Sequence, residues 1–309
     1  MIEGFTALTL TSGDLEAAFV PDAAMVGCSL VHRGEELLGL RGGLRAYVAE
    51  RKTMGIPLLY PWANRLGRTR FTVAGRDVNL DSVTPPLRRD GQGLPMHGQL
   101  SGIGGWQVTR HERGALAATF AFGEAGGLTA AFPFPHTVSV EATLEAGTLT
   151  IATTVDATGG GPVPIAFGYH PYLRLPGVDR RAWVVDVPVH EALALDDRML
   201  PTGERVPVTV EPGPLGDRTF DDAYVAPAEG RPFVLAGGGR RIELAFRSGF
   251  PFAQVFAPAE DDVVAFEPMT APTNALVDGG PELPLLAPGE TYRAAFSISV
   301  SDAREDAAR

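Results

Sequence analysis

The chain of 309 residues carries 26 Lys+Arg against 37 Asp+Glu, a formal charge of −11 at pH 7. That balance argues against nucleic acid, which needs a basic face to displace counterions, and it disfavours an anionic membrane surface. With 45% hydrophobic and 20% charged residues the composition is that of a folded globular protein, and the single cysteine, Cys28, excludes an intrachain disulfide.

The opening residues lack a basic region followed by a long apolar one, so no signal peptide is expected. No run of about 18 apolar residues occurs, so no membrane span is expected either. A cytoplasmic location is the default. FTALTLTS (5–12) alternates in polarity, with Leu8 and Leu10 on one face and Thr9 and Thr11 on the other. GDLEAAF (13–19) reads as a helical turn or as another strand. Cys28, inside MVGCSLV, reads as core. HTVSVEATLE, LTIATTVD, RIELAFRS and YRAAFSISVS alternate again, which is the signature of half-buried strands. Long helical periodicity is almost missing.

The 37 glycines and 26 prolines are spread along the chain and cut it into short segments. PPLRRDGQG (85–93) and LPGVDRR (175–181) read as loops, and the proline-rich 207–224 as an extended crossing segment. No composition shift marks a boundary. The expectation is one all-β domain over 1–300, a large antiparallel β-sandwich, with 301–309 as a frayed tail.

Five places offer chemistry. In YPWANRLGRTRF (60–71), Asn64 and Arg65 follow an apolar run. A guanidinium supplies rigid, always-charged donors for hydroxyls or carboxylates. In LPMHGQL (94–100), His97 precedes Gly98, which lets the backbone turn sharply beside a ligand. In GYHPYLRL (168–175), Pro171 restricts the backbone of His170, and Tyr169 and Tyr172 offer apolar walls with polar tips. An imidazole titrates near pH 6.5 and trades protons near neutrality. TFDDAYV (219–225) places Asp221 and Asp222 before an aromatic. VVAFEP (263–268) delivers Glu267 at the exit of an apolar run, where desolvation raises a carboxyl pKa. Each has an ordinary structural reading: loop arginines, a turn or core histidine, a capping aspartate, a rim glutamate. His32, His111, His136 and His190 are read as structural. The P-loop, dinucleotide fingerprint, serine elbow and zinc spacings are absent.

Taken in order, NRLGRTRF, MHG, GYHPYLRL, DDAY and FEPMTAPTNAL resemble the aldose 1-epimerase (galactose mutarotase) family. The resemblance spans roughly 60–276 and implies a single large antiparallel β-sandwich with the sugar in an open groove. It implies that Glu267 is the general base at the anomeric hydroxyl and His170 the general acid at the ring oxygen. It implies His97 as a second histidine near that oxygen, Arg65 with Asn64 beside it as hydroxyl contacts, and Asp221 as a remote hydroxyl anchor. Asp222 stays an alternative to Asp221, and Tyr169 a wall of the site. Glu267 is expected ionised and His170 protonated, the latter favoured by Asp221 if it lies close. The two should face one cleft at a spacing a pyranose ring can bridge.

No metal or cofactor is implied. The partner implied is a small-molecule sugar, acted on by a monomer or homodimer. HGQLSGIGGW lacks the basic residue common soon after HG in this family, and FEPMT departs from its FETQ-type form. A hexose 6-phosphate is therefore a second candidate substrate, with Arg41, Arg45, Arg51, Arg68, Arg70, Arg88 and Arg89 as candidate contacts. The same residues also allow a non-catalytic carbohydrate-binding protein, or a metal site built on His97, His170 and Glu267.

Overall fold

The computed structural model describes residues 1–124, 126–227 and 231–302. The alternating segments form antiparallel strands. His136–Glu145 pairs with Thr148–Ala157 from His136↔Ala157 to Glu145↔Thr148, and every second residue of each is buried. Both lie in a nine-stranded sheet. Its order is Gly213–Pro214, Val184–Asp186, Phe233–Gly237, Arg240–Ser248, Thr291–Asp302, Thr148–Ala157, His136–Glu145, Ala115–Ala121, Gln107–Glu112.

A second, eight-stranded sheet runs Pro201–Pro207, Glu191–Leu195, Phe220–Val225, Phe252–Ala257, Val264–Met269, Gly168–Tyr169, Leu58–Leu59. Tyr172–Leu173 also pairs with Val264–Met269. The two large sheets share one core. Phe233 of the first stacks on Phe266 of the second with ring centroids 5.1 Å apart. Tyr169 packs on Phe296 at 5.0 Å, and its hydroxyl meets Thr153 Oγ1 at 2.7 Å. This is the sandwich that two half-apolar sheets must form to bury their inner faces.

The ambiguous GDLEAAF segment resolves as a strand. Leu15–Val20 pairs with Leu8–Ser12 and Val26–His32 in a four-stranded sheet, with a turn at Gly13–Asp14. Residues 207–224 do cross: they leave the edge of the eight-stranded sheet, pair at Gly213–Pro214 with the nine-stranded sheet, and return at Phe220. The helix Gly43–Glu50 has no precursor in the sequence pattern. At 8 residues it spans about two turns, too few to impose a clear period. The last strand runs through Asp302, so residues 301 and 302 belong to the sheet. The remainder of the expected tail lies outside the described residues. No helix among the described residues is long and apolar enough to cross a membrane.

Candidate active site

Strand alternation builds the site on the outer face of the eight-stranded sheet. Val264 and Phe266 enter the core, so Glu267 points to the opposite face. Its register partner is Gln254, and the partner of Gln254 on the next strand is Ala223. Asp221 lies two residues from Ala223 and shares its face. Its Oδ1 accepts a hydrogen bond from Gln254 Nε2 at 2.8 Å.

His170 comes from the turn between Gly168–Tyr169 and Tyr172–Leu173. Its backbone N–H donates to the Pro57 carbonyl at 3.3 Å. Its Nε2 lies 3.1 Å from Glu267 Oε1. Both residues are buried, His170 5% and Glu267 1% exposed. They are therefore in contact, and no pyranose ring lies between them. The chemistry does not require one, because O1 and O5 of a sugar are bonded to the same carbon. A donor and an acceptor for those two oxygens must be neighbours.

Burial pushes the Glu267 carboxyl well above the ordinary carboxylate range, and Asp221 adds to this while Arg65 and Arg88 oppose it. Burial holds the His170 imidazole well below its ordinary range, and Arg88 and Arg41 lower it further. Burial thus disfavours the charged form of each group. Both directions run against the expected charges, an ionised Glu267 beside a protonated His170. The cause is the low polarity of the shared pocket. Asp221, expected to favour the imidazolium, instead raises Glu267.

His97 and Asn64 hold each other. The Asn64 N–H donates to His97 Nδ1 at 3.3 Å, and the His97 N–H donates to the Asn64 carbonyl at 2.9 Å. Both adopt positive φ, +54° at Asn64 and +61° at His97. With Nδ1 accepting, the neutral ring carries its proton on Nε2 as a donor. Burial and Arg88 keep His97 neutral, well below its usual pKa. The next residue must be glycine: Gly98 has φ +66°, and a Cβ there would lie 2.0 Å from the Tyr60 carbonyl oxygen.

Arg65 is held by Asp90, which accepts from its Nε at 3.0 Å, and its Nη2 lies 3.7 Å from Asp221. The loop carrying it is tied down by Asn274 of PTNAL. Asn274 Oδ1 accepts from the Gly67 N–H at 2.6 Å, and its own N–H donates to the Arg65 carbonyl at 3.1 Å.

The structure thus brings together Glu267, His170, His97, Asn64, Arg65 and Asp221. It does not bring in Asp222 or Tyr169. Asp222 shares its face with Phe220 and Tyr224, which pack on the core, so it points away from Glu267. Tyr169 is spent between the sheets on Thr153 and Phe296. The tyrosine at the site is Tyr172, stacked on the His170 ring at 4.0 Å and 17°.

Of the seven upstream arginines, Arg41 and Arg88 reach this region. Arg41 donates to the Tyr172 hydroxyl at 3.0 Å, and Arg88 donates to Thr53 Oγ1 at 2.9 Å. The others are engaged elsewhere: Arg45 with Glu3, Arg51 with the Gln99 and Ser101 carbonyls, Arg68 with the Val277 carbonyl, Arg70 with Asp81, Arg89 with the Gly93 carbonyl. Asp90, Gln254 and Thr53 escaped the sequence reading. Gln254 left one trace, a polar residue inside the apolar run FAQVFA.

Among the described residues no group of three or more His, Cys, Asp or Glu side chains is placed to hold a metal ion. A hollow of about 450 Å³ lined by Ile103, Gln107, Phe120 and Leu128 contains none of the site residues.

Known proteins share this architecture. The aldose 1-epimerase family model matches residues 23–299. The uncharacterized protein YihR of Escherichia coli K12 is 23% identical over 309 residues, which cover 94% of this chain and 92% of YihR. The galactose mutarotase-like protein of Clostridium acetobutylicum superposes with a TM-score of 0.83 at 16% identity, over 95% of this chain and 94% of that one. The galactose 1-epimerase of Lactobacillus acidophilus NCFM superposes with a TM-score of 0.73 at 13% identity, over 94% and 92%. At such identities the likeness of the solved structures speaks for the fold.

Proposed function

The chain belongs to the aldose 1-epimerase family, and we propose that it interconverts the α and β anomers of a free aldose. The observation that carries this reading is the buried contact of 3.1 Å between His170 Nε2 and Glu267 Oε1. The pair sets a carboxyl and an imidazole side by side, and one proton shared between them makes one a donor and the other an acceptor. Arg65 and Arg88 draw Glu267 toward the carboxylate, and a proton on His170 then arms both groups.

Glu267 then takes the proton from O1 while His170 gives its proton to O5. The C1–O5 bond breaks, the C1=O1 double bond forms, and O5 becomes a hydroxyl. Rotation about C1–C2 presents the other face of the aldehyde. O5 attacks C1, its proton returns to His170, and Glu267 returns a proton to O1. Protons and electron pairs balance over the cycle, and no cofactor enters it. Each positioned transfer contributes about 10²–10⁴-fold. The His97 Nε2–H steadies the ring-oxygen side, and Arg65 and Asp221 hold hydroxyls remote from C1. A purely sugar-binding protein has no need of such an acid–base pair. We place the reaction in the cytoplasm, carried out by a monomer or homodimer on a small-molecule sugar.

A second reading takes a hexose 6-phosphate. One observation favours it: Arg41 and Arg88 act on His170 from separate loops, Arg41 being paired with Asp261 at 3.1 Å and Arg88 donating to the Thr53 hydroxyl at 2.9 Å. C6 is borne by C5, the carbon that carries O5, so a charged group there would sit on the His170 side. The test is anomer exchange measured by NMR for free and phosphorylated aldoses in parallel. The leading reading expects faster exchange with a free aldose. Faster exchange with phosphosugars alone selects the second, and none with either class rejects both.

A further inference from the structure

A histidine that moves protons through one nitrogen is ordinarily oriented by a hydrogen bond at the other. Among the described residues His170 lacks this: its Nε2 meets Glu267, while no described residue hydrogen-bonds its buried Nδ1. Something else must stop the ring from turning about its side-chain bonds.

Three rings surround it. Phe256 and His97 approach edge-on, with centroids 5.4 and 5.9 Å away and planes at 71° and 82°. Tyr172 lies nearly parallel at 4.0 Å and 17°, so its plane sets the imidazole plane. The Tyr172 ring is in turn fixed at its far tip. Its hydroxyl is 2.6 Å from Thr53 Oγ1 and accepts from Arg41 Nη1 at 3.0 Å. Thr53 is 2% exposed, and its Oγ1 also accepts from Arg88 Nη1 at 2.9 Å. The same loop holds the backbone: the Gly55 carbonyl accepts from the Tyr172 N–H at 2.9 Å, and the Pro57 carbonyl accepts from the His170 N–H at 3.3 Å.

We infer that Thr53 is a positioning residue for His170, acting through the Tyr172 ring and taking the place of the missing Nδ1 hydrogen bond. Its hydroxyl joins the Arg88 guanidinium to the tyrosine tip, so Tyr172 cannot tilt without breaking a buried hydrogen bond. The inference rests on the proposed reaction for its kinetic consequence, but its structural content stands apart from any substrate.

The experiment compares Thr53→Val, which keeps the shape and removes the hydroxyl, with Thr53→Ser, which keeps the hydroxyl. On an aldose that the wild type turns over, Thr53→Val should lower kcat about 10- to 100-fold while KM stays within about twofold, as for a misplaced proton-transfer group. Thr53→Ser should stay near wild type. In the free protein, the carbon-bound ring protons of His170 should lose the upfield shift caused by the stacked Tyr172 in Thr53→Val and keep it in Thr53→Ser. Unchanged His170 shifts in Thr53→Val overturn the inference. So does a loss of kcat that is equal in both variants and follows their melting temperatures, which would mark Thr53 as packing. If the wild type turns over no aldose, the proposed function fails, and the His170 shifts still decide the role of Thr53.

Discussion

Glu267→Gln separates chemistry from stability. The substitution keeps the size of a side chain that is 1% exposed and removes its ability to take or give a proton. Loss of one positioned proton transfer predicts a fall in kcat of about 10²–10⁴-fold, or about 3–5 kcal/mol of barrier. Folding should respond in the opposite sense. Burial raises the folded-state pKa of Glu267 above its unfolded value. Stability from that group is present below the unfolded pKa and is lost as pH rises through the folded one. Each unit of such a shift is worth about 1.4 kcal/mol. The wild type is thus penalised at neutral pH, and the amide, which does not titrate, escapes the penalty. The assay is the optical-rotation decay of freshly dissolved sugar, alongside thermal melts from pH 5 to pH 8, a range of about 3 units chosen to span the rise. The mutant should be nearly inactive, and its melting temperature should gain on the wild type as pH rises. Wild-type turnover in Glu267→Gln would refute the role of Glu267. A stability gap that moves toward the wild type with rising pH would refute the burial argument.

Other outcomes follow from the same geometry. Asp221→Asn should lower kcat/KM for aldose turnover at least about tenfold, since Asp221 shares the face of Glu267; Asp222→Asn should change it less than about twofold. Equal losses would contradict the strand parity. Tyr169→Phe should keep activity and lose about 1–2 kcal/mol of stability in denaturant titration, because it strands the buried Thr153 hydroxyl. A catalytic defect without a stability loss would return Tyr169 to the site. His136 sits between the Phe134 carbonyl at 2.6 Å and the Tyr60 hydroxyl at 2.5 Å, and burial lowers its pKa to about 4. Between its unfolded value of 6.5 and about 4, the unfolded chain binds the extra proton, so stability must fall as pH falls across that window. Melts of His136→Gln should lack that part of the slope, and an unchanged slope would exclude His136 as its source.

Many strands were open to reading because only one of their faces is buried. HTVSVEATLE alternates in sequence as the strand His136–Glu145 alternates in burial. The facing of Glu267 was not legible in VVAFEP, because every residue of Val264–Met269 is buried and the run shows no alternation. The Asp221 and Asp222 choice had a signal, since Phe220 and Tyr224 bracket Asp222 at a spacing of two and carry it to the core side. Tyr169 and Tyr172 could not be told apart locally. Pro171 turns the chain between them, and only the packing against Thr153 or against His170 distinguishes them. Arg88, Asp90 and Thr53 sit in loops with no period, and Gln254 lies on another strand. Their meeting at one site depends on long-range contacts that no local pattern encodes.

The most direct measurement is magnetisation exchange between the anomeric resonances of a ¹³C1-labelled aldose. It would be made with the wild-type protein, with Glu267→Gln and with a His170→Asn variant. The proposed mechanism predicts that wild-type protein accelerates exchange and that each variant loses the acceleration while remaining folded. Exchange at the uncatalysed rate with wild-type protein across free and phosphorylated aldoses would contradict it, as would full acceleration by either variant.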